Sequence, residues 1–172
     1  AYDCAHAIIK AVNEKNLQNV SMPNLDVGVS LNTGDVVFGV VGDDNRKSIT
    51  IISDTVNITA KMGEINKMFG SIIIFSKATL NDISASVMIN YRYIGNLKQN
   101  DKEYTSIFES LDAYPRAKRD KLIKNKVAFE QGVRAYVNGK YDLAVRAFEE
   151  VYKKEKDDKV CYTFYNKAKE KT

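Results

Sequence analysis

Asn57 and Lys61 stand four residues apart in the stretch TVNITAKMGEINKMF, whose apolar residues recur at helical spacing. On a helix that separation puts an amide and an ammonium on one face, where they can converge on a single ligand. Taken alone the pair is a solvated helix stripe, so its chemistry must be argued from its surroundings. Thr50, on the β-branched run just upstream, offers both a donor and an acceptor; it is equally a residue type that strands select. Lys98, in a polar turn between two apolar runs, adds a cation and by itself reads as a solvated hairpin lysine. Metal and thiol chemistry find little support. The chain has one histidine, His6, and two cysteines near opposite ends, Cys4 and Cys161, with no Cys-x-x-Cys. A zinc site built on Cys and His and a disulfide framework are poor readings on that count, and a reducing cytosol is the default. His6 reads as a boundary residue of the opening helix.

The elements that must position these groups can be read from periodicity. Ile8, Ile9, Val12 and Leu17 predict an amphipathic helix over 5–17, ended by the turn-rich stretch 19–24 with Pro23. From Leu25 the period becomes that of strands. LDVGVSLNTG, DVVFGVVG and SITIIS are β-rich runs, the first two able to pair as a hairpin and the loop 43–47 closing a second one into 48–53. Ser53 or Asp54 can cap a helix that carries Val56, Ile58, Met62, Ile65 and Phe69 and ends at Gly70. A buried strand SIIIF, a helical turn over 77–82, and a hairpin of YRYIGNL with EYTSIFESL across the turn 98–102 complete an α+β domain ending near Leu111. Beyond it, 112–124 reads as a linker or the start of a docking helix. Three helical runs follow, separated at Asn138–Gly139 and Asp157–Asp158.

Length and charge bound the answer further. A chain of 172 residues, 44% hydrophobic and 28% charged, buries a real core and is not disordered. No apolar run nears the roughly 20 residues of a membrane span, and the N-terminus lacks a signal-peptide layout, so a cytoplasmic location is expected. The net charge of +4 is uneven: residues 1–111 hold 10 Lys and Arg against 12 Asp and Glu, residues 112–172 hold 16 against 10. Lysines interleaved with acids on helices form a solvated face, so nucleic acid is not an expected partner.

The stretch GVVGDDNRKSITIISDTVNITAKM, residues 39–62, resembles the C-terminal half of a class III nucleotidyl cyclase catalytic domain. That family's pattern is a Gly-Val-Val-Gly turn, a hairpin, Tyr-Thr-Val-Ile-Gly-Asp-Thr-Val-Asn, and a helix opening Leu-Ala-Ala-Arg. VGVSLNTGDVV is similar to its Ile-Gly-Ile-His-Thr-Gly strand. YRYIGNLKQNDKEYTSIFES is similar to its Arg-x-Leu-Gly-x-x-x-Leu-Lys-Gly-Lys ending. The likeness covers residues 3–111 and implies a partial ferredoxin-like cyclase sheet domain. FEQGVRAYVNGKYDLAVRAFEEV is similar to a tetratricopeptide repeat, with Gly132 at the helix crossing and Tyr141, Ala144 and Phe148 on the second helix. One repeat cannot bury its own face, so packing on the third helix through Cys161, Phe164 and Tyr165, or on a partner, is expected. The implied division is 1–111 cyclase portion, 112–124 linker, and 125–172 tetratricopeptide-like helices, an extension that points to a bacterial source.

The cyclase likeness implies attack of a ribose 3′-hydroxyl on the α-phosphate of a nucleoside triphosphate. Asn57 matches the ribose-orienting asparagine, Lys61 stands where the family has its transition-state arginine, and Lys98 matches the first lysine of the triphosphate turn. Thr50 matches the purine-reading position, which implies ATP rather than GTP. Three departures stand out: lysine for arginine at 61, Ser53 for the usual glycine, and Lys-Gln-Asn for Lys-Gly-Lys at 98. The family's two metal-binding aspartates lie upstream of the helix with which this chain opens, and Asp43, Asp44 and Asp54 occupy loop and cap positions instead. Magnesium or manganese is therefore expected in a longer parent, itself open to membrane anchoring, and this chain alone is expected neither to bind metal nor to turn over. A homodimer is expected, with strand exchange as one route because unpaired sheet edges remain, and a protein partner for the C-terminal helices. Two further readings stay open: a non-catalytic cyclase-homology module for dimerisation or nucleotide sensing, and a scaffold whose working part is the helical tail.

Overall fold

The computed structural model describes the chain apart from residues 20, 22, 44, 45, 85, 86 and 100–102. Asp44 and the centre of the 98–102 turn therefore lie outside the described residues. The elements follow the order α1 (Tyr2–Gln18), β1 (Val29–Leu31), β2 (Val37–Gly42), β3 (Lys47–Ile52), α2 (Asp54–Phe69), β4 (Ile73–Ser76), α3 (Lys77–Ser84), β5 (Tyr91–Lys98) and β6 (Tyr104–Ser110). Three helices close the chain: α4 (Arg116–Val137), α5 (Tyr141–Lys154) and α6 (Lys159–Lys169). This is a mixed α+β architecture, and the β-β-β-α-β-α-β-β order after the opening helix is the one the periodicity predicts.

The pairing departs from expectation in one place. β1 and β2 do not form a hairpin; β1 pairs in parallel with β4, while β2 pairs antiparallel with β3 alone. The reason is that β1 is only three residues long, and its neighbourhood is set by α2, which returns the chain to run β4 alongside it. The main sheet has the order β1-β4-β6-β5, and β2-β3 stands as a separate ribbon. That ribbon exposes apolar residues on both faces: Val37, Phe38, Val40, Val41, Ile49, Ile51 and Ile52.

The segment 112–124, expected as a linker or the start of a docking helix, turns at Leu111–Tyr114 and is helical from Arg116, with Pro115 at the cap position of α4. Gly132 is buried where α4 crosses α5; a Cβ there would lie 2.7 Å from the Phe148 ring, so only glycine allows this approach. Phe164 of α6 stacks on Phe148 at 5.3 Å and, on its other neighbour, on Phe69 of α2 at 4.7 Å. One contiguous core consequently runs from the sheet residues Ile73, Ile94 and Ile107 through Phe69 into Phe129, Phe148 and Phe164. Fully burying such side chains contributes about 1.5–3 kcal/mol each. α1 is held more loosely: Ile9 is buried, but Ile8 and Leu17, counted on its apolar face, are exposed.

Candidate functional site

Helix α2 begins where its cap allows. Ser53 is extended, at φ −172°, and its hydroxyl accepts the Val56 amide at 3.2 Å, satisfying one of the orphan N–H groups of the first turn. Asp54 follows in the favourable electrostatic position at that end. The helix stops at Gly70, whose left-handed φ of 61° ends it in the way the sequence predicts. Ile58, Met62, Asn66 and Phe69 form its buried side, and Asn57 and Lys61 are both exposed on the next stripe. The expected sharing of one face holds for this pair.

Two sets of polar contacts orient the helix antiparallel to β1. Near its C-terminal end, the Asn66 amide donates to the Val29 carbonyl at 3.1 Å. Near its N-terminal end, the Asn32 amide donates to the Thr55 carbonyl at 3.1 Å, and the Thr55 hydroxyl donates to the Asp35 carbonyl at 2.9 Å. The first turn of α2 thus lies at the end of the sheet where β1 finishes. β5 runs parallel to β1, since each pairing from β1 through β4 and β6 to β5 fixes direction, so Lys98 closes β5 at that same end.

Ile65 and Met68 of α2 line a cleft of about 190 Å³ with Gly95 and Asn96 of β5. One turn back from Ile65 is Lys61, and two residues on from Asn96 is Lys98; both steps lead out of the cleft in one direction. The topology therefore brings Asn57, Lys61 and Lys98 to one end of the molecule. Thr50 is different: it sits half-buried on β3 opposite Gly39, in the separate ribbon, and reaches this region through the three residues that lead to the Ser53 cap.

Among the described residues, no three His, Cys, Asp or Glu side chains come together to hold a metal ion. His6 packs edge-on against Tyr2 at 4.6 Å, and burial holds its imidazole pKa below the ordinary value despite Asp112 and Asp3. Both cysteines are free thiols. Among the described residues, no helix is long and apolar enough to cross a membrane.

The periodicity gave no warning of one buried ionic cluster. Arg92 of β5 is fully buried and donates from Nε to Glu109 of β6 at 2.6 Å, and from Nη1 and Nη2 to both carboxylate oxygens of Asp158 at 2.6 and 2.8 Å. Its guanidinium lies over the Phe129 ring at 4.0 Å. Glu109 also accepts from the Ser71 hydroxyl at 2.8 Å and the Tyr114 hydroxyl at 2.6 Å. Asp158 caps α6 by accepting the Cys161 amide at 3.1 Å. The available signal was an arginine in the apolar strand YRYIG with a glutamate on the facing strand; Asp158, in a turn doublet, carried none.

Residues 1–105 match the family described as the Adenylate and Guanylate cyclase catalytic domain. Among curated proteins, the chain is 24% identical over 151 residues to the "Adenylate cyclase, terminal-differentiation specific" of Dictyostelium discoideum, covering 87% of this chain and 7% of that protein. It is 30% identical over 119 residues to an "Adenylate cyclase" of Anabaena cylindrica, covering 62% of this chain and 24% of that protein. The chain thus spans less than a quarter of the length of either relative.

Proposed function

This chain belongs to the adenylate and guanylate cyclase catalytic domain family, and on that premise we propose that it forms the ribose- and phosphate-gripping part of an adenylate cyclase that converts ATP to 3′,5′-cyclic AMP and pyrophosphate. The observation that carries the reading is the exposed pair Asn57 and Lys61 on one stripe of a capped helix, with Lys98 at the same end of the sheet. In this reading the Asn57 amide holds the ribose so that its 3′-oxygen lies in line with the α-phosphorus. The new P–O bond forms as the bond to the bridging oxygen of the β-phosphate breaks, the hydroxyl proton passes to water, and pyrophosphate leaves. Lys61 offsets the charge that gathers on the α-phosphoryl oxygens, and Lys98 that of the β- and γ-phosphates. Thr50 reads the amino edge of adenine.

Family members generally use magnesium or manganese, and the described residues do not assemble a donor set for either. In this reading carboxylates from elsewhere hold the metal, and these 172 residues alone do not turn over. An ammonium at position 61 neutralises phosphate but lacks the bidentate fork of a guanidinium, a loss on the order of 2–4 kcal/mol of transition-state stabilisation. In the longest active protein that contains this domain, Lys61→Arg should raise kcat/KM for ATP, and Asn57→Ala should lower it about 100-fold. Absence of cyclic AMP in the parent with Mg²⁺ or Mn²⁺, not restored by Lys61→Arg, overturns the catalytic reading.

A second reading, a non-catalytic cyclase-homology module for dimerisation or nucleotide sensing, is favoured by the lysine at 61. Both readings share a homodimer, by strand exchange or by direct contact. The two-faced apolar ribbon β2-β3 supports it, since a patch of that kind on one chain is stable only when covered. Phe38→Asp, placed opposite Ile51 in the ribbon, should turn a dimer into a monomer in sedimentation equilibrium. A wild-type chain that is monomeric at tens of micromolar defeats the dimer proposal. The exposed Leu143 and Tyr162 of the helical extension leave room for a protein partner there, and the ATP requirement fits a cytoplasmic location.

A further inference from the structure

We infer that Arg92 is a positioning residue: it locks the helical extension onto the sheet so that α6 braces the C-terminal half of α2, the helix that carries Asn57 and Lys61. The extension is then the third layer of the catalytic unit and a lever on its site, in place of a module hung on a linker. The significance of that lever for nucleotide alignment rests on the function proposed above; the bracing itself does not.

Three observations carry the inference. First, the cluster joins two parts of the chain that are far apart in sequence, and it does so through fixed geometry. Arg92 and Glu109 belong to paired strands, and Arg92 and Glu109 stand opposite each other in the register. Asp158 belongs to the extension and takes both terminal nitrogens of the guanidinium. A planar fork against a carboxylate fixes orientation as well as distance, and Arg92 is the counter-charge that the buried Glu109 and Asp158 carboxylates share. Second, Asp158 is also the N-cap of α6, so the residue that meets Arg92 sets where α6 starts and how it points. Third, α6 delivers its contacts to the far end of α2. Phe164 stacks on Phe69 at 4.7 Å with the rings 27° apart, and Lys167 Nζ lies 2.7 Å from the Met68 sulfur. Gly70, the α2 stop, has the Lys159 side chain against it. Helix α2 is continuous from Asp54 to Phe69, so a shift at Phe69 is carried as a rigid rotation to Asn57 and Lys61.

Amide hydrogen exchange on the whole 172-residue chain tests this. Asp158→Asn keeps a capping oxygen for α6 but removes the charge facing Arg92. It should speed exchange about tenfold or more in α6 and in the last two turns of α2, while the β2-β3 ribbon, which the cluster does not touch, keeps its wild-type rates. Acceleration confined to α6, or spread equally to the ribbon, overturns the inference. If that variant fails to fold, Phe164→Leu serves in its place: it thins the stack on Phe69 and leaves the charges intact, and it must accelerate the same α2 amides or the bracing is wrong. A non-hydrolysable ATP analogue separates this inference from the function it rests on. Coupling between α6 and α2 without protection of the first turn of α2 by the analogue would sustain the bracing and defeat the nucleotide reading. Protection that weakens in Asp158→Asn sustains both.

Discussion

In the function proposed above, an ammonium in place of a guanidinium at position 61 would offer a phosphate one mobile charge instead of two parallel hydrogen bonds. Lys61 is exposed, so on that proposal its contribution would depend on how fully a bound ligand excludes water. Other single residues are governed by burial. Cys161 is sealed among Phe148, Phe164 and the Asp158 cap; burial, with the nearby Asp158 carboxylate, pushes its thiol up to about 12. Cys4 is exposed on α1. In the native chain at pH 8, one thiol should react promptly with a disulfide reagent, and the second only once denaturant is added. Two prompt thiols would mean that α6 is not docked as described.

Among the elements, α2 has the most to explain, because three different forces define it. Its start depends on the Ser53 hydroxyl, its side on Ile58, Met62 and Phe69, and its direction on Asn32, Thr55 and Asn66. Ser53→Ala should lower the unfolding free energy by about 1 kcal/mol, with Ser53→Asp close to wild type, as read from urea midpoints. The serine that stands where the family has glycine is thereby explained as a cap. The ribbon β2-β3 is the opposite case: its two strands pair only with each other, and Val37, Phe38, Val40, Val41, Ile49, Ile51 and Ile52 are exposed.

For the whole molecule, the buried cluster makes stability depend on acid. Burial pushes the Asp158 carboxyl up, but the Arg92 charge, its hydrogen bonds and the Cys161 amide outweigh it and hold the group below the usual carboxylate range. A carboxyl depressed in the folded state contributes stability that is present above its unfolded value, near pH 3.9, and is lost as pH falls through the lower folded value. The urea midpoint of the wild-type chain should therefore drop on acidification below about pH 4. Asp158→Asn should start lower at pH 7 and lose less over that interval. Equal slopes would show that other carboxylates govern the acid limb.

Local information was enough for much of this. The period of the apolar residues, the Ser53 cap, the Gly70 stop and the turn before β3 all act within a few residues of each other, so the element order, the extent of α2 and the sharing of one face by Asn57 and Lys61 were legible in the sequence. Gly132 at a helix crossing was expected from the resemblance of that stretch to a helical repeat, and the missing side chain is what permits the approach. What depended on partners distant along the chain was not legible. Parallel pairing of β1 with β4, the exclusion of β2 from the main sheet, and the gathering of Lys98 to the α2 end follow from which surfaces cover one another. The meeting of Arg92 with Asp158, 66 residues away, is the clearest instance: a charge is tolerable in a core only when its counter-charge arrives by folding, and no local spacing records that arrival.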